Sequence, residues 1–454
     1  MAISKLPGEV LLEIFSFYMA PSHEEDAWHT LVHVCRRWRY VVFDSPRSLD
    51  LRLAIVNRRL VKTLDIWPEL PIVLHVHYGK RIQPPSVPDV VSLLERRDRV
   101  CKISVDKIPN SLLKEVAAMT APFPALIELG LWSSEQDPPT LPDSFLGGSL
   151  PRLQSLNLWG IPFPAIGKLL SSTRDLVTLT MGSVPRPGYI SPKAMVAILS
   201  PLTRLKSLHL DFETPQFWIH GTTQHSPALT RVVLPALTTF QFSGNREYLE
   251  GIVSRIDAPL DSIAVTIFDE LIFDIPLVRD FIGRTKILNA PHRVDTSFSI
   301  SNAGISLFQR KGDIDFKVLD FVIIDSAPDA HLSSLAQSCG SFLPPIPSLE
   351  HLGISGELSS GGQDGVENAQ PMELLRPFIT VKGLVLDKAA ALSVAPALQE
   401  LVGEQHREIL PALQNIFLEG FQSSGSVPEG IGKFVAAREL SGRPVIVRHR
   451  EMKQ

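Results

Sequence analysis

The sequence predicts an α/β protein in two parts: a short helical module at the N-terminus, then a long array in which short parallel strands alternate with helical returns. Two observations carry this. Two apolar helical stretches fall within the first 43 residues, and a short leucine phrase recurs along most of the remaining chain. Composition agrees, since 454 residues that are 44% hydrophobic and 20% charged can support a core. That length admits two to four ordinary domains, but a repeat array can run as long in one body.

The first stretch begins at Pro7, whose missing N–H would be unpaired at a helix start anyway. Leu11, Leu12, Ile14, Phe15 and Tyr18 follow as its apolar surface. In the second, Ala27, Trp28, Leu31, Val34, Cys35, Trp38, Val41 and Val42 recur at helical spacing, which predicts one amphipathic helix. His33, Arg36, Arg37 and Arg39 make its wet face. Cys35 reads as a small buried hydrophobe rather than a reactive thiol. About forty residues cannot bury this much apolar surface alone. The surplus meets either the rest of this chain, as an ordinary helical hairpin would, or another protein.

In order, the stretch reads Leu6-Pro7-x-Glu9, then Ile14-Phe15, then Leu31-x-x-Val34-Cys35-Arg36-x-Trp38. This resembles an F-box, a three-helix module that docks on a Skp-family adaptor of a cullin ubiquitin ligase. The break at residues 20–25 is longer and more acidic than in common members. The resemblance implies that Leu6, Pro7, Ile14, Phe15, Leu31, Val34 and Trp38 form the adaptor-facing or module-core surface, two roles that sequence leaves undivided. Residues 45–53 resemble the segment that follows the module in fungal F-box/leucine-rich-repeat members. The implied protein is a substrate receptor, non-catalytic itself, with a Skp-family adaptor and, through it, a cullin scaffold as partners.

The recurring phrase is Pro-x-Leu-x-x-Leu-x-Leu. It appears as Leu126/Leu129/Leu131, Leu153/Leu156/Leu158, Leu176/Leu179/Met181 and Leu205/Leu208/Leu210. Weaker copies follow at Leu237/Phe240/Phe242, Leu260/Ile263/Val265, Leu349/Leu352/Ile354, Val381/Leu384/Leu386 and Leu413/Ile416/Leu418. Steps between the early copies are 27, 23, 29, 32 and 23 residues, around the leucine-rich-repeat period. Each phrase is a short strand whose last two apolar positions point inward. No unit buries its own row, so neighbours must stack, and each leucine buried contributes about 1.5–3 kcal/mol. The expected fold is an irregular leucine-rich-repeat solenoid, a horseshoe of short parallel strands with helical returns.

Helical returns are expected at 163–171, 191–199, 246–256 and 276–284, with Ser191-Pro192 a strong helix start. Between module and phrase, strands are expected at 49–56, 60–66, 72–76 and 100–105, with a helix at 89–97. The phrase fades over 266–348, where strand-like 294–300 and 317–324 suggest one or two irregular repeats rather than a separate domain. Residues 353–370 read as a polar Gly-Ser loop. A helix at 431–441 and a strand at 443–447 would cap the array. The expected divisions are therefore 1–45 module, 46–123 divergent linker and first repeats, 124–425 repeats, and 426–454 cap.

Chemistry is sparse. Lys plus Arg is 44 and Asp plus Glu is 48, a net charge of −4, which gives no basic face for nucleic acid. The three cysteines, at 35, 101 and 339, make neither a disulfide framework nor a zinc spacing, and point to a reducing compartment. Without an apolar segment of signal or membrane length, the expectation is a cytoplasmic or nuclear protein away from membranes. His75 and His77 share a strand face but lack a third metal ligand. No Gly-x-Ser-x-Gly elbow occurs, and the glycines near 360 lack a P-loop lysine. Glu24-Glu25 and Asp269-Glu270 read as solvated pairs, and neither metal nor cofactor is expected. Trp132 and Trp159 follow the final leucine of successive phrases. They either anchor an unidentified protein target or fill the gap at the strand ends.

Overall fold

The computed structural model describes residues 6–19, 28–46, 48–57, 61, 64–79, 84–212, 231–268, 276–299, 302–324, 348–356, 374–401, 409–421 and 427–450. The chain divides into two compact units, Met1–Ile190 with Pro201–Leu205, and Ser191–Ser200 with Lys206–Gln454.

The first unit opens with α1 (Gly8–Met19), α2 (Trp28–Val34) and α3 (Arg36–Asp44). Helix α1 starts where the Pro7 carbonyl accepts from the Leu11 N–H at 3.1 Å. The single helix expected over the second stretch is instead broken at Cys35, which is extended (φ −159°, ψ 167°). Its Sγ accepts from the Trp38 N–H at 3.5 Å, so Cys35 caps α3 and is exposed, not a buried hydrophobe. The break re-phases the apolar pattern and turns Val34 outward. It also lets Arg39 Nε donate to the Val32 carbonyl at 3.0 Å, satisfying an orphan acceptor of α2.

Six parallel strands follow in chain order: β1 (Leu53–Ile55), β2 (Ile72–His77), β3 (Val100–Asp106), β4 (Glu128–Trp132), β5 (Ser155–Trp159) and β6 (Thr178–Val184). Returns run through α4 (Val87–Leu94), α5 (Asn110–Ala117), a 3-10 turn at Phe145–Gly148 and α6 (Ile166–Leu170). A reciprocal Ser86–Asp89 box, with Pro88 in the first turn, starts α4. Register places Leu74, Ile103, Leu129, Leu156 and Leu179 in one inward row, and Val76, Val105, Leu131, Leu158 and Met181 in the next. Every one of these is buried. Two expected strands are corrected. Of 49–56 only Leu53–Ile55 is strand, and within 60–66 the described Leu64–Ile66 forms a 3-10 turn, so neither stretch supplies the full strand expected.

The second unit contains α7 (Pro192–Leu199), capped by Ser191 Oγ on the Ala194 N–H, then β7 (Ser207–Phe212) and the two-residue β8 (Val232–Val233). Next come β9 (Thr239–Gly244), α8 (Arg246–Val253), β10 (Ile256–Asp257), β11 (Ser262–Phe268) and α9 (Pro276–Gly283). The return expected to run to 256 therefore ends early, and its last residue joins β10, which pairs β8.

Chain order then breaks. Strands β12 (Arg293–Phe298), β13 (Asn302–Lys311) and β14 (Ile314–Ile324) form an antiparallel meander, with β14 beside β11 and β12 beside the next strand, β15 (His351–Gly356). This corrects the expectation of parallel repeats through 266–348. Two long alternating strands joined by Gly312-Asp313 (Gly312 φ 65°) pair with each other before either pairs outward. The unit closes with β16 (Gly383–Leu386), α10 (Lys388–Glu400), β17 (Asn415–Glu419), α11 (Glu429–Leu440) and β18 (Ile446–Arg450), these strands again parallel. The last strand starts three residues later than the expected 443–447.

One inward row runs Leu208, Phe240, Ile263, Leu319, Leu307, Val294, Leu352, Leu384 and Ile416 through the meander without interruption. Thr296 is the polar member of the adjacent row, fully buried, and donates to the Gly353 carbonyl at 3.2 Å. Of the expected Gly-Ser loop, residues 353–356 end β15, and the rest lies outside the described residues.

Candidate functional site

Helix α1 carries two apolar stripes. Leu11 and Phe15, one turn apart, are buried, and Phe15 rests against Trp38 of α3 with ring centroids 4.8 Å apart. Leu31, Val32 and Val42 are buried as well. The neighbouring stripe, Val10, Ile14, Phe17 and Tyr18, is open: Ile14 is 45% and Phe17 72% exposed. Val34, at the end of α2, and Tyr40 on α3 are 56% and 79% exposed. Arg36, Arg37, Tyr40, Val41 and Asp44 line an open depression along α3.

The structure thus divides the seven candidate residues. Phe15 and Leu31 are interior, and Trp38 is half-buried against Phe15. Pro7, Ile14 and Val34 face outward, while Leu6 is half-buried and its carbonyl accepts from the Arg37 guanidinium. Sequence reasoning missed Val10, Phe17 and Tyr40. The signal for the first two was their spacing of four and three residues from Ile14.

The module is tied to the segment that follows it. Trp28 Nε1 donates to the Arg52 carbonyl at 2.8 Å, and its ring meets Phe43 and Trp67 edge-on at 5.7 and 5.3 Å. His29 stacks on Trp67 at 4.9 Å.

A second arrangement lies on the other face of β2–β6. Register aligns His77, Asp106, Trp132, Trp159 and Gly182 across five strands. Trp159 lies over Gly182, where a methyl group would run into its ring. Trp132 sits 5.8 Å from Trp159, tilted by 49°, and is 47% exposed. His77 Nδ1 is 3.4 Å from Asp106 Oδ2, and His75 on the same face is exposed. Beyond β2, burial pushes the Tyr78 phenol up, with the Asp89 carboxylate adding to it, and its hydroxyl donates to the Pro85 carbonyl.

Among the described residues, no three His, Cys, Asp or Glu side chains converge as metal ligands, and no helix is long and apolar enough to cross a membrane. Cys101 is buried and donates to the Ile72 carbonyl at 3.3 Å. Phe212 is buried against Phe242 and Tyr248. Phe217, Trp218, Glu24, Glu25, Asp269, Glu270 and Cys339 lie outside the described residues.

Residues 3–59 match the family model described as F-box-like, a span covering α1 to α3 and β1. No curated protein matches the chain.

Proposed function

We propose that the protein is the substrate-receptor subunit of a Skp–cullin–F-box type ubiquitin ligase. The observation that carries this is the coincidence of the F-box-like match with a helical module whose α1 keeps a second apolar stripe open. The core stripe, Leu11 and Phe15, holds the module together. The open stripe, with Pro7, Ile14 and Val34 and their neighbours Val10, Phe17 and Tyr18, takes the Skp-family adaptor. Large apolar side chains of this kind supply most of an interface's energy once a partner excludes water from them. Leu6, Phe15, Leu31 and Trp38 serve binding by fixing the shape of that face.

The strands behind the module act as a leucine-rich-repeat solenoid that holds a protein target, with Trp132 and Trp159 as candidate contacts. Such a subunit performs no bond chemistry. It raises the effective concentration of target lysines at the ubiquitin-charged enzyme, turning a bimolecular encounter into an intramolecular one. It would work in the cytoplasm or nucleus.

One observation favours a competing reading, a leucine-rich-repeat interaction scaffold with no ubiquitin role. Trp28 is fully buried beside Trp67, so the helices also cover part of their own unit. Removing residues 1–45 would expose that contact under either reading and cannot separate them. The discriminating experiment co-purifies the full chain with a Skp-family adaptor, as wild type and as Ile14→Glu/Phe17→Glu. Adaptor retained by wild type and lost from the folded variant supports the receptor. No retention by wild type, or equal retention by both, supports the scaffold.

A further inference from the structure

We infer that Asp106 and Trp132 form a binding site for a cationic side chain, a lysine or arginine of the protein target. This rests on the reading of the first unit's strands as the surface that holds a target. Neighbouring strands run about 4.8 Å apart, so in-register residues on one face stand side by side. Asp106 and Trp132 are such a pair. The carboxylate side chain is 48% exposed and the indole 47% exposed, so both are open from the same side. An aromatic face beside a carboxylate attracts an ammonium or guanidinium twice, through the ring quadrupole and through charge.

The surroundings favour a cation over other occupants. One flank of Trp132 is taken by Trp159, which is seated on Gly182, so the pair is braced from that side. Across the other flank stands β3 with Asp106. The Asp106 carboxylate has the His77 imidazole on its β2 side, 3.4 Å away, and its β4 side faces Trp132. Lys107, next in the chain, has φ 53° and runs its side chain along Gly79. The segment after Trp132 adds exposed Asp137, while the Glu135 carboxylate accepts from the Asn110 N–H at 3.0 Å. A sugar-binding platform would present its rings flat, whereas these two are tilted by 49°. An indole that only plugs a strand end would be covered. Trp159 is half-buried in that way and Trp132 is not.

The test uses the full chain with nitrogen-labelled tryptophan, whose six indole N–H signals are assigned by single substitutions. Blocked arginine and lysine amides, blocked trimethyl-lysine amide, and the glutamate and leucine counterparts are titrated in, each also placed within a short Gly-Ser peptide. The Trp132 signal should shift saturably with the cations and not with glutamate or leucine. Asp106→Asn should weaken that binding about fivefold or more without moving the melting midpoint. Absence of a saturable shift with every cation, an equal shift with glutamate or leucine, or unchanged affinity in folded Asp106→Asn would overturn the site. Adaptor capture is measured on the same preparation. A chain that captures adaptor but ignores cations sinks this site alone, and the reverse result sinks the ligase reading alone.

Discussion

In the strands of the first unit, the inward side chains of both register rows, from Leu74 and Val76 to Leu179 and Met181, are buried against neighbours from this same chain. In α1, Leu11 and Phe15 are buried in the same way, but Val10, Ile14, Phe17 and Tyr18 on the adjacent stripe remain in water. Both regions carry many large apolar residues. They differ in what is available to cover them. A strand row gains a neighbour on each side with every added unit. A short helix packed on one partner helix can offer only one of its stripes to that partner. Among the described residues of α1, the uncovered stripe is therefore apolar surface that this chain leaves in water.

The contrast is broken most severely by truncating the covered stripe. Phe15→Ala removes a fully buried ring from between the helices and should cost about 3–5 kcal/mol, whereas Phe17→Ala should stay within about 0.5 kcal/mol. Chemical denaturation of both variants checks this. Equal losses would mean that the two stripes are not distinct.

On the strand side, Gly182→Ala tests whether the tryptophan row is built as tightly as the core. The added methyl meets the Trp159 ring, so a loss of about 1–3 kcal/mol is expected, with a change in tryptophan fluorescence. A stable variant with unchanged emission would show that Trp159 moves aside freely.

The smallest effect concerns the helix break. Cys35→Ser replaces a weak sulfur acceptor at an N-cap by a strong oxygen one and should stabilise the module by up to about 1 kcal/mol. Thermal melting reads the sign directly. A loss would mean that the thiol does more than cap α3.

Much of the strand array was legible because each leucine phrase states its own inward positions, and register then follows from matching them. The meander was not, although Gly312-Asp313 between two alternating runs is a hairpin signal in its own right. A search for parallel repeats passes over it, and β13 went unread. Helix α10 was missed as well, despite the Asp387 cap that accepts from the Ala390 N–H at 2.7 Å. The break at Cys35 could not be read, since the apolar spacing continues straight through it. The candidate docking residues could be drawn from the sequence only as one undivided list. Its division into covered and open members depends on which side of α1 meets α3, a tertiary fact that helical periodicity does not contain.

Calorimetric titration of a purified Skp-family adaptor into the full chain, beside Phe17→Glu of equal melting midpoint, tests the open stripe most directly. The account predicts saturable one-to-one binding with a negative heat-capacity change for wild type, and a loss of at least about tenfold in affinity for the variant. Binding of equal strength by both, or none by wild type, would contradict it.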